Sequence, residues 1–388
     1  MSTRSTDVPG AAVRRGRLPV AARGFAAAFA AAIILTLAGA PALAETELIG
    51  PLRLRDTTPF NILRLDMLPA HAVRGGRGSW AIEADLSYTN TFVMSDNVMR
   101  YLEARGGGRR PLDAADVAAI ENLGGDAYYV DGEFGVLDLT FHIALTSRTS
   151  AYSTLPLYTF AGGGLDGTIE GFHNTFGFTN AGREFVAHNR FQTVLALGGL
   201  RTVFLQAPLD GGIGDPVLGL RHSWLFGPRW ALVLDGAAKL AVVGERTLLS
   251  TGANEYGLQT SLQGKFKRQG AYFSAGWVRT DGRVLGVRLG QNNVPTLTAA
   301  WEVGLTGHTN GIIQVYASQS VLRDTTVEEI KTNKYEASFG VRSHRGHWLY
   351  GVAVIENIAN FENTPDVGLS LSLAWLSLKP ETPRDQNR

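Results

Sequence analysis

Thr296-Leu297-Thr298-Ala299-Ala300-Trp301-Glu302-Val303-Gly304-Leu305-Thr306 alternates with a period of two: the odd positions are apolar or aromatic, and the even ones are Thr, Ala, Glu and Gly. Successive side chains of a β-strand point to opposite faces, so the segment has an oily side and a wet side. Tyr256-Gly257-Leu258-Gln259-Thr260-Ser261-Leu262-Gln263-Gly264-Lys265-Phe266 repeats the division in the opposite phase. The pattern recurs from about residue 213 to 378. A soluble sandwich alternates too, but needs a second sheet over its oily face, whereas a barrel in lipid needs no cover.

The N-terminus favours lipid. Arg14, Arg15, Arg17 and Arg23 precede an apolar run, Phe25 to Leu37, that closes on Ala42-Leu43-Ala44. This order of charge, apolar core and small-residue site reads as a secretory signal, residues 1–44, with the mature chain starting near Glu45. As a membrane anchor the run is short. Beyond it no stretch approaches the roughly 20 continuous apolar residues of a spanning helix, which leaves a periplasmic protein or a closed barrel. A net charge of +1 gives no case for nucleic acid. Zero cysteines exclude disulfides and thiolate metal sites, and 46 glycines suit many turns and a lumen lined with small side chains.

Strands are expected at 79–90, 127–145, 150–160, 213–226, 229–243, 255–267, 271–280, 296–306, 311–321, 334–344, 347–358 and 366–378. The connections between them alternate short and long, as in outer-membrane barrels with both termini in the periplasm. The short ones, such as Gly227-Pro228 and Arg345-Gly346, are rich in turn formers. The reading is therefore an all-β, single antiparallel up-and-down transmembrane barrel over 79–378, of about twelve strands. A hairpin at 187–207 would make fourteen. Segment 45–78 is either a lumen plug or a periplasmic rim, and 379–388 is a polar tail.

Facing follows from register. Trp230, Leu232 and Leu234 oppose Asp235 and Lys239; Tyr335, Phe339 and Val341 oppose Glu336, Arg342 and His344. A charge on the lipid face costs about 2–4 kcal/mol at mid-membrane for Arg or Lys, so the charged face turns inward. The expected lumen-facing polar residues are Asp131, Glu133, Asp235, Lys239, Glu302, Glu336 and Arg342. Asp131 and Glu133 share parity with apolar Leu137, Leu139 and Phe141, so a β-bulge near Gly135 is expected to bring them inward with Asp138, Thr140 and His142. Trp224, Phe226, Trp230, Trp348, Tyr350 and Trp375 lie near strand ends, where an interfacial aromatic girdle sits.

The chemical candidate is a short helix from Gly164 to Phe176. Leu165, Ile169, Phe172 and Phe176 form an apolar stripe, beside which run Asp166, Glu170 and His173. One imidazole and two carboxylates suit a divalent metal or general acid/base work, and equally a capped polar helix face. They are the only catalytic or metal candidates; no cofactor is implied, and the balance lies against an enzyme. Gly162-Gly163-Gly164 reads as a hinge, and His344 and His347, flanking a turn, as solvated.

Asp131-Gly132-Glu133, the Asp-x-x-Ile-x-x-Phe-His pattern from Asp166 to His173, Gly182-Arg183 and Gly214-Asp215 together resemble the domain-of-unknown-function 3187 family of bacterial outer-membrane proteins. The resemblance covers most of the mature chain and implies an outer-membrane barrel with no established activity. The chain departs from the usual outer-membrane ending, in which an aromatic closes the last strand, because Leu-Ser-Leu and the tail follow Trp375. The partners expected are outer-membrane lipid, the insertion machinery and a small solute bound in or passed through a narrow lumen. A lipid-acting hydrolase and a structural or assembly barrel are the alternatives.

Overall fold

A computed structural model describes residues 47–70, 72, 76–177, 179–244, 248–288, 293–322, 325–359 and 364–377. The stretch expected to be a secretory signal, 1–44, and the expected polar tail, 379–388, lie outside these residues. Twelve antiparallel strands close into a ring: β1 (Trp80–Met94), β2 (Ala127–Ala144), β3 (Thr149–Ala161), β4 (Val217–Phe226), β5 (Trp230–Lys239), β6 (Glu255–Phe266), β7 (Gln269–Arg279), β8 (Asn293–Gly304), β9 (Thr309–Ser318), β10 (Lys334–Arg345), β11 (Trp348–Ala359) and β12 (Val367–Leu376). Each strand pairs with its neighbours in sequence, and β1 pairs with β12 from Ala81↔Leu376 to Asn90↔Val367, which leaves the ring without an edge.

The alternation sets the two sides of this wall. On β8, Leu297 is 50% exposed while Glu302 is fully buried. The outward set includes Ile82, Phe141, Leu220, Leu258, Val352 and Leu371, all exposed and apolar, a continuous oily band that a water-soluble surface does not carry. The short-turn end of the barrel carries Trp80, Trp224, Phe226, Trp230, Phe266, Trp348 and Trp375, with Trp80 and Trp375 in contact at 4.8 Å between centroids. Tyr256, Trp277 and Tyr335 line the long-loop end. Rings at both edges of an apolar band are where amphipathic aromatics meet a bilayer surface.

Four details differ from the sequence expectation. The hairpin at 187–207 forms, as Gln192–Leu197 and Leu200–Phe204, but it pairs with the overhanging part of β2, Ala127–Asp131, and stays out of the ring. The β6–β7 turn is Lys267-Arg268, with Lys267 itself at φ +54°, so β7 starts at Gln269, two residues before the expected 271. No bulge occurs at Gly135: β1–β2 and β2–β3 keep unbroken register through it. The register shift lies between β10 and β11, where Tyr335 faces Ala359 and Glu336 faces Asn357, so Ile358 is the extra residue.

Residues 47–70 and Ala72 lie in the interior. Glu302 on β8 accepts the Ile49 and Gly50 amides, Arg342 on β10 donates to the Pro51 carbonyl, and Leu52 packs on Ile312 and Ala353. After a turn at 58–64 the chain returns past Met67 against Val278, Leu68 against Gln259 and Ala72 against Gln263. Contacts with strands all round the ring place this segment inside the wall and not along its rim. At the long-loop end its tip, Phe60, Ile62 and Leu63, joins Phe134, Tyr158, Phe191, Leu248, Val284 and Val321 in one apolar cap.

Candidate functional site

Two buried arginine networks organise the molecule. The first lies in the lumen, where the plug segment meets the β1–β2 wall. Arg53 and Arg55 are two residues apart and lean on the same wall. The Arg53 Nε lies 2.9 Å from Glu83 Oε2 and 3.4 Å from Asp85 Oδ2. Arg55 donates to both Asp138 oxygens at 3.0 and 3.3 Å, to the Tyr158 hydroxyl at 3.0 Å, and to the Ile62 and Arg64 carbonyls. One guanidinium thus ties the wall to the plug's own turn. Arg64 pairs with Asp56 and donates to the Tyr316 hydroxyl, while Lys334 of β10 meets Asp56 and Thr58.

The expected lumen residues Asp235, Lys239, Glu302, Glu336 and Arg342 are all buried. Asp235 accepts from Arg221 at 2.7 Å and from the Tyr152 hydroxyl; Lys239 donates to Glu255, Thr251 and the Leu63 carbonyl. Glu336 shares a face with Lys334 two residues before it. His344 is buried, not solvated, with its Nε2 3.3 Å from His308 Nδ1. Sequence reasoning missed Glu83, Asp85, Arg221 and Glu255 as interior groups. The parity of Ile82-Glu83-Ala84-Asp85-Leu86 carries the signal for the first two.

The second network corrects the placement of Asp131 and Glu133. With the register unbroken, both stay on the outer side of β2, the side of Leu139 and Phe141, and both are buried there at 1–2% exposure. Only Asp138 and Thr140, with half-buried His142, lie on the inner side. The overhanging half of β2 is covered by protein instead of lipid: α1 (Asp96–Ala104) and α2 (Ala114–Glu121) bury Phe92, Tyr129 and Val194, and α3 (Asp166–Phe176) lies beside them. Polar groups of lipid-side parity therefore have partners, and no phase change is needed. Glu133 accepts the Gly164 and Leu165 amides at 2.9 and 2.7 Å, a carboxylate cap on the start of α3. A Cβ on Gly163, at φ +70°, would sit 1.6 Å from the Glu133 carboxyl carbon, and one on Gly162 would meet the Asn189 carbonyl at 2.4 Å, so these two glycines are fitted seats where a hinge was expected.

Arg183 is the centre of this outer network. It donates to Asp166 at 2.5 Å, to Asn90 at 2.7 Å and to Asp366, and its guanidinium lies 4.4 Å from the Phe92 ring centroid. Asp166 also accepts from Asn90 and from the Asn189 amide. Glu170 points elsewhere, to Arg109 at 2.9 and 3.1 Å and to His188 at 2.9 Å. Burial would raise its pKa, but the hydrogen bonds from Arg109 and His188 prevail and lower it. His173 is half-buried, within electrostatic reach of Asp366. Asp166, Glu170 and His173 thus have separate partners, and among the described residues no group of three His, Cys, Asp or Glu converges as a metal site. What the structure does assemble is Asp131, Glu133, Asp166 and Arg183, motif residues scattered along the sequence. Asp215 stands apart, accepting from Ser250 and the Val243 amide.

Comparison with known proteins bears on the fold and the family. No curated protein matches the chain in sequence. Among solved structures, an outer membrane channel from Pseudomonas putida F1 is similar at 11% identity and a TM-score of 0.49, over 80% of this chain and 100% of that one. The P. putida toluene transporter TodX is similar at 8% identity and a TM-score of 0.36, over 79% and 92%. A FadL homologue from Pseudomonas aeruginosa is similar at 10% and 0.29, over 77% and 89%. A family profile described as "Protein of unknown function (DUF3187)" matches residues 113–376, which run from the start of α2 through Arg183 to the last strand of the barrel. The chain belongs to this family, DUF3187.

Proposed function

We propose that this protein is an outer-membrane barrel that binds or passes a small solute through a polar lumen, with residues 47–72 as its gate. One observation carries the reading: the plug is joined to the wall largely by ion pairs and hydrogen bonds. Arg53, Arg55, the Ile49 and Gly50 amides and the Pro51, Leu63 and Leu68 carbonyls each meet a polar wall group. Such bonds exchange with water at a net cost of only about 0.5–1.5 kcal/mol each, more for charged groups, so a segment held this way can be withdrawn into a hydrated lumen. An apolar core has no such exchange. The tip at Phe60, Ile62 and Leu63 has the largest apolar seat, beyond smaller contacts at Leu52, Met67 and Ala72, and it acts as the stopper at the external mouth.

Passage is tested in planar bilayers with the full-length chain. The protein as it stands gives rare conductance steps, and the doubly substituted R53Q/R55Q chain gives frequent ones. Silence from R53Q/R55Q that still shows the heat-modifiable gel shift of a folded barrel rejects the gate. That result favours the second reading, a structural envelope barrel, for which the apolar tip locked into the external cap already speaks. Export fits the same picture, with the signal segment removed near Ala44; N-terminal sequencing of protein recovered from outer membranes should begin near Glu45, and retention of Phe25–Leu37 would make that segment an anchor.

A further inference from the structure

The lumen wall contributes three carboxylates, of which only Glu83 touches basic groups of the wall itself. Glu83 and Asp85 lie on one face of β1, and Asp138, the cross-strand partner of Asp85, lies beside them on β2. Of the other wall cations, Arg221 holds Asp235 and Lys239 holds Glu255 on the wall, while Lys334 holds Asp56 of the plug. Arg342 comes no closer to Glu83 than 3.9 Å, and His142 meets Glu83 at 3.2 Å. The ion pairs of Asp85 and Asp138, and the shortest one of Glu83, come instead from the plug, through Arg53 and Arg55. Side chains two apart on an extended chain stand roughly 7 Å from each other, so the wall offers two cation seats at about that spacing.

Two further observations point to a ligand. Asp85 Oδ1 is buried without a hydrogen-bond partner, next to a gap of water size lined by Leu52, Arg53, Arg342, Ser370 and Ser372. The Tyr158 ring lies 5.7 Å from the Arg55 guanidinium, and its hydroxyl accepts a bond from the same group, so the deeper seat offers a flat aromatic edge as well as a carboxylate. A bidentate carboxylate with an adjacent ring is a receptor for a planar cation.

We propose that Glu83, Asp85 and Asp138 form the lumen binding site for a small cationic solute bearing a guanidinium or amine, and that Arg53 and Arg55 occupy it as built-in surrogates in the closed state. The assignment rests on the reading of the lumen as a gated passage and names its substrate class. When the plug leaves, three carboxylates in a narrow interior lose its cations and stand close to one another, so their like charges repel. A cation that takes the vacated seats therefore binds only the open form and draws the equilibrium toward it. Anions and neutral solutes gain nothing there.

The experiment uses full-length R53Q/R55Q with agmatine, a linear guanidinium–amine dication, as probe. Across a potassium chloride gradient its currents should carry potassium over chloride by at least about fivefold, and millimolar agmatine should block them. Addition of D138N and E83Q to that chain should raise the half-blocking concentration at least about tenfold. Sodium acetate and glucose at equal concentration should leave the current unchanged. Chloride preference, or agmatine block indifferent to D138N and E83Q, overturns the site while leaving the gate intact. If folded R53Q/R55Q proves silent, the gate fails, and binding is read at equilibrium: agmatine raising the melting temperature of R53Q/R55Q, with the rise lost in D138N, upholds the cation seat, and no rise overturns it.

Discussion

Arg55 and Arg183 meet similar chemistry on opposite sides of one wall. Each is a buried guanidinium held by carboxylates and set against an aromatic ring, and each joins a segment outside the ring to β1 or β2. Arg183 clasps three separate pieces of the long-loop end, the β1 end at Asn90, α3 at Asp166 and the approach to β12 at Asp366. Arg55 holds one continuous segment whose other contacts are mainly polar bonds to the lumen wall, apart from the apolar tip in the cap and smaller apolar seats. The lesson is that an arginine–carboxylate bond takes its role from what it joins: where it gathers loops with no other seat it is a clasp, and where it holds a single strap it is a catch.

Breaking the clasp should have the largest effect. Arg183→Ala strands Asp166 and Asp366 without a cation, and removing one partner of a buried pair costs about 3–5 kcal/mol. Limited proteolysis should then cut within 162–190, at a lower melting temperature than the unaltered barrel. An unchanged cleavage pattern would show the loops to be held by packing alone. The catch comes next. Arg55→Gln should raise the frequency of bilayer openings more than Arg53→Gln, because Arg55 also fixes the Ile62–Arg64 turn, and neither should expose the 162–190 loops. If Arg183→Ala opened the lumen as strongly, the two networks would be one mechanical unit.

The outer helices supply a pH test of the same contrast. Burial alone would raise the pKa of Asp116, but hydrogen bonds from Tyr101, the Asp113 amide, Arg110 and Arg105 outweigh it and hold the group at about 2. A carboxylate with a depressed pKa contributes stability that is fully present above its unfolded value, about 3.9, and is lost as pH falls through the folded value. Resistance of 96–121 to pepsin should therefore begin to weaken below about pH 4 and be lost as pH drops past 2. Loss already complete at pH 4 would contradict the network. Smallest of all, Glu170→Ala should cost no more than about 1 kcal/mol, as expected of a surface ion pair, and His173→Ala should leave the gel shift and the bilayer record unchanged. Loss of solute binding by either variant with the fold intact would restore the helix stripe as a site.

Much of the wall was legible in residue order alone. Alternation located all twelve ring strands to within a few residues and turned Asp235, Lys239, Glu302, Glu336 and Arg342 away from Leu234, Trp301 and Val341, because a strand's two faces are written in its parity. Tertiary structure decided what lies beyond each face. The same parity on β2 meets open surface at Phe141 and a protein cover at Asp131, and nothing local to β2 distinguishes them, since the cover comes from α1, α3 and Arg183. The plug's location rests likewise on bonds between residues far apart in the chain, such as Arg55 with Asp138 and Ile49 with Glu302. The motif residues Asp131, Glu133, Asp166 and Arg183 were visible one by one; the fold of the 164–183 stretch back over β2 brought them together, and closing the ring added Asp366.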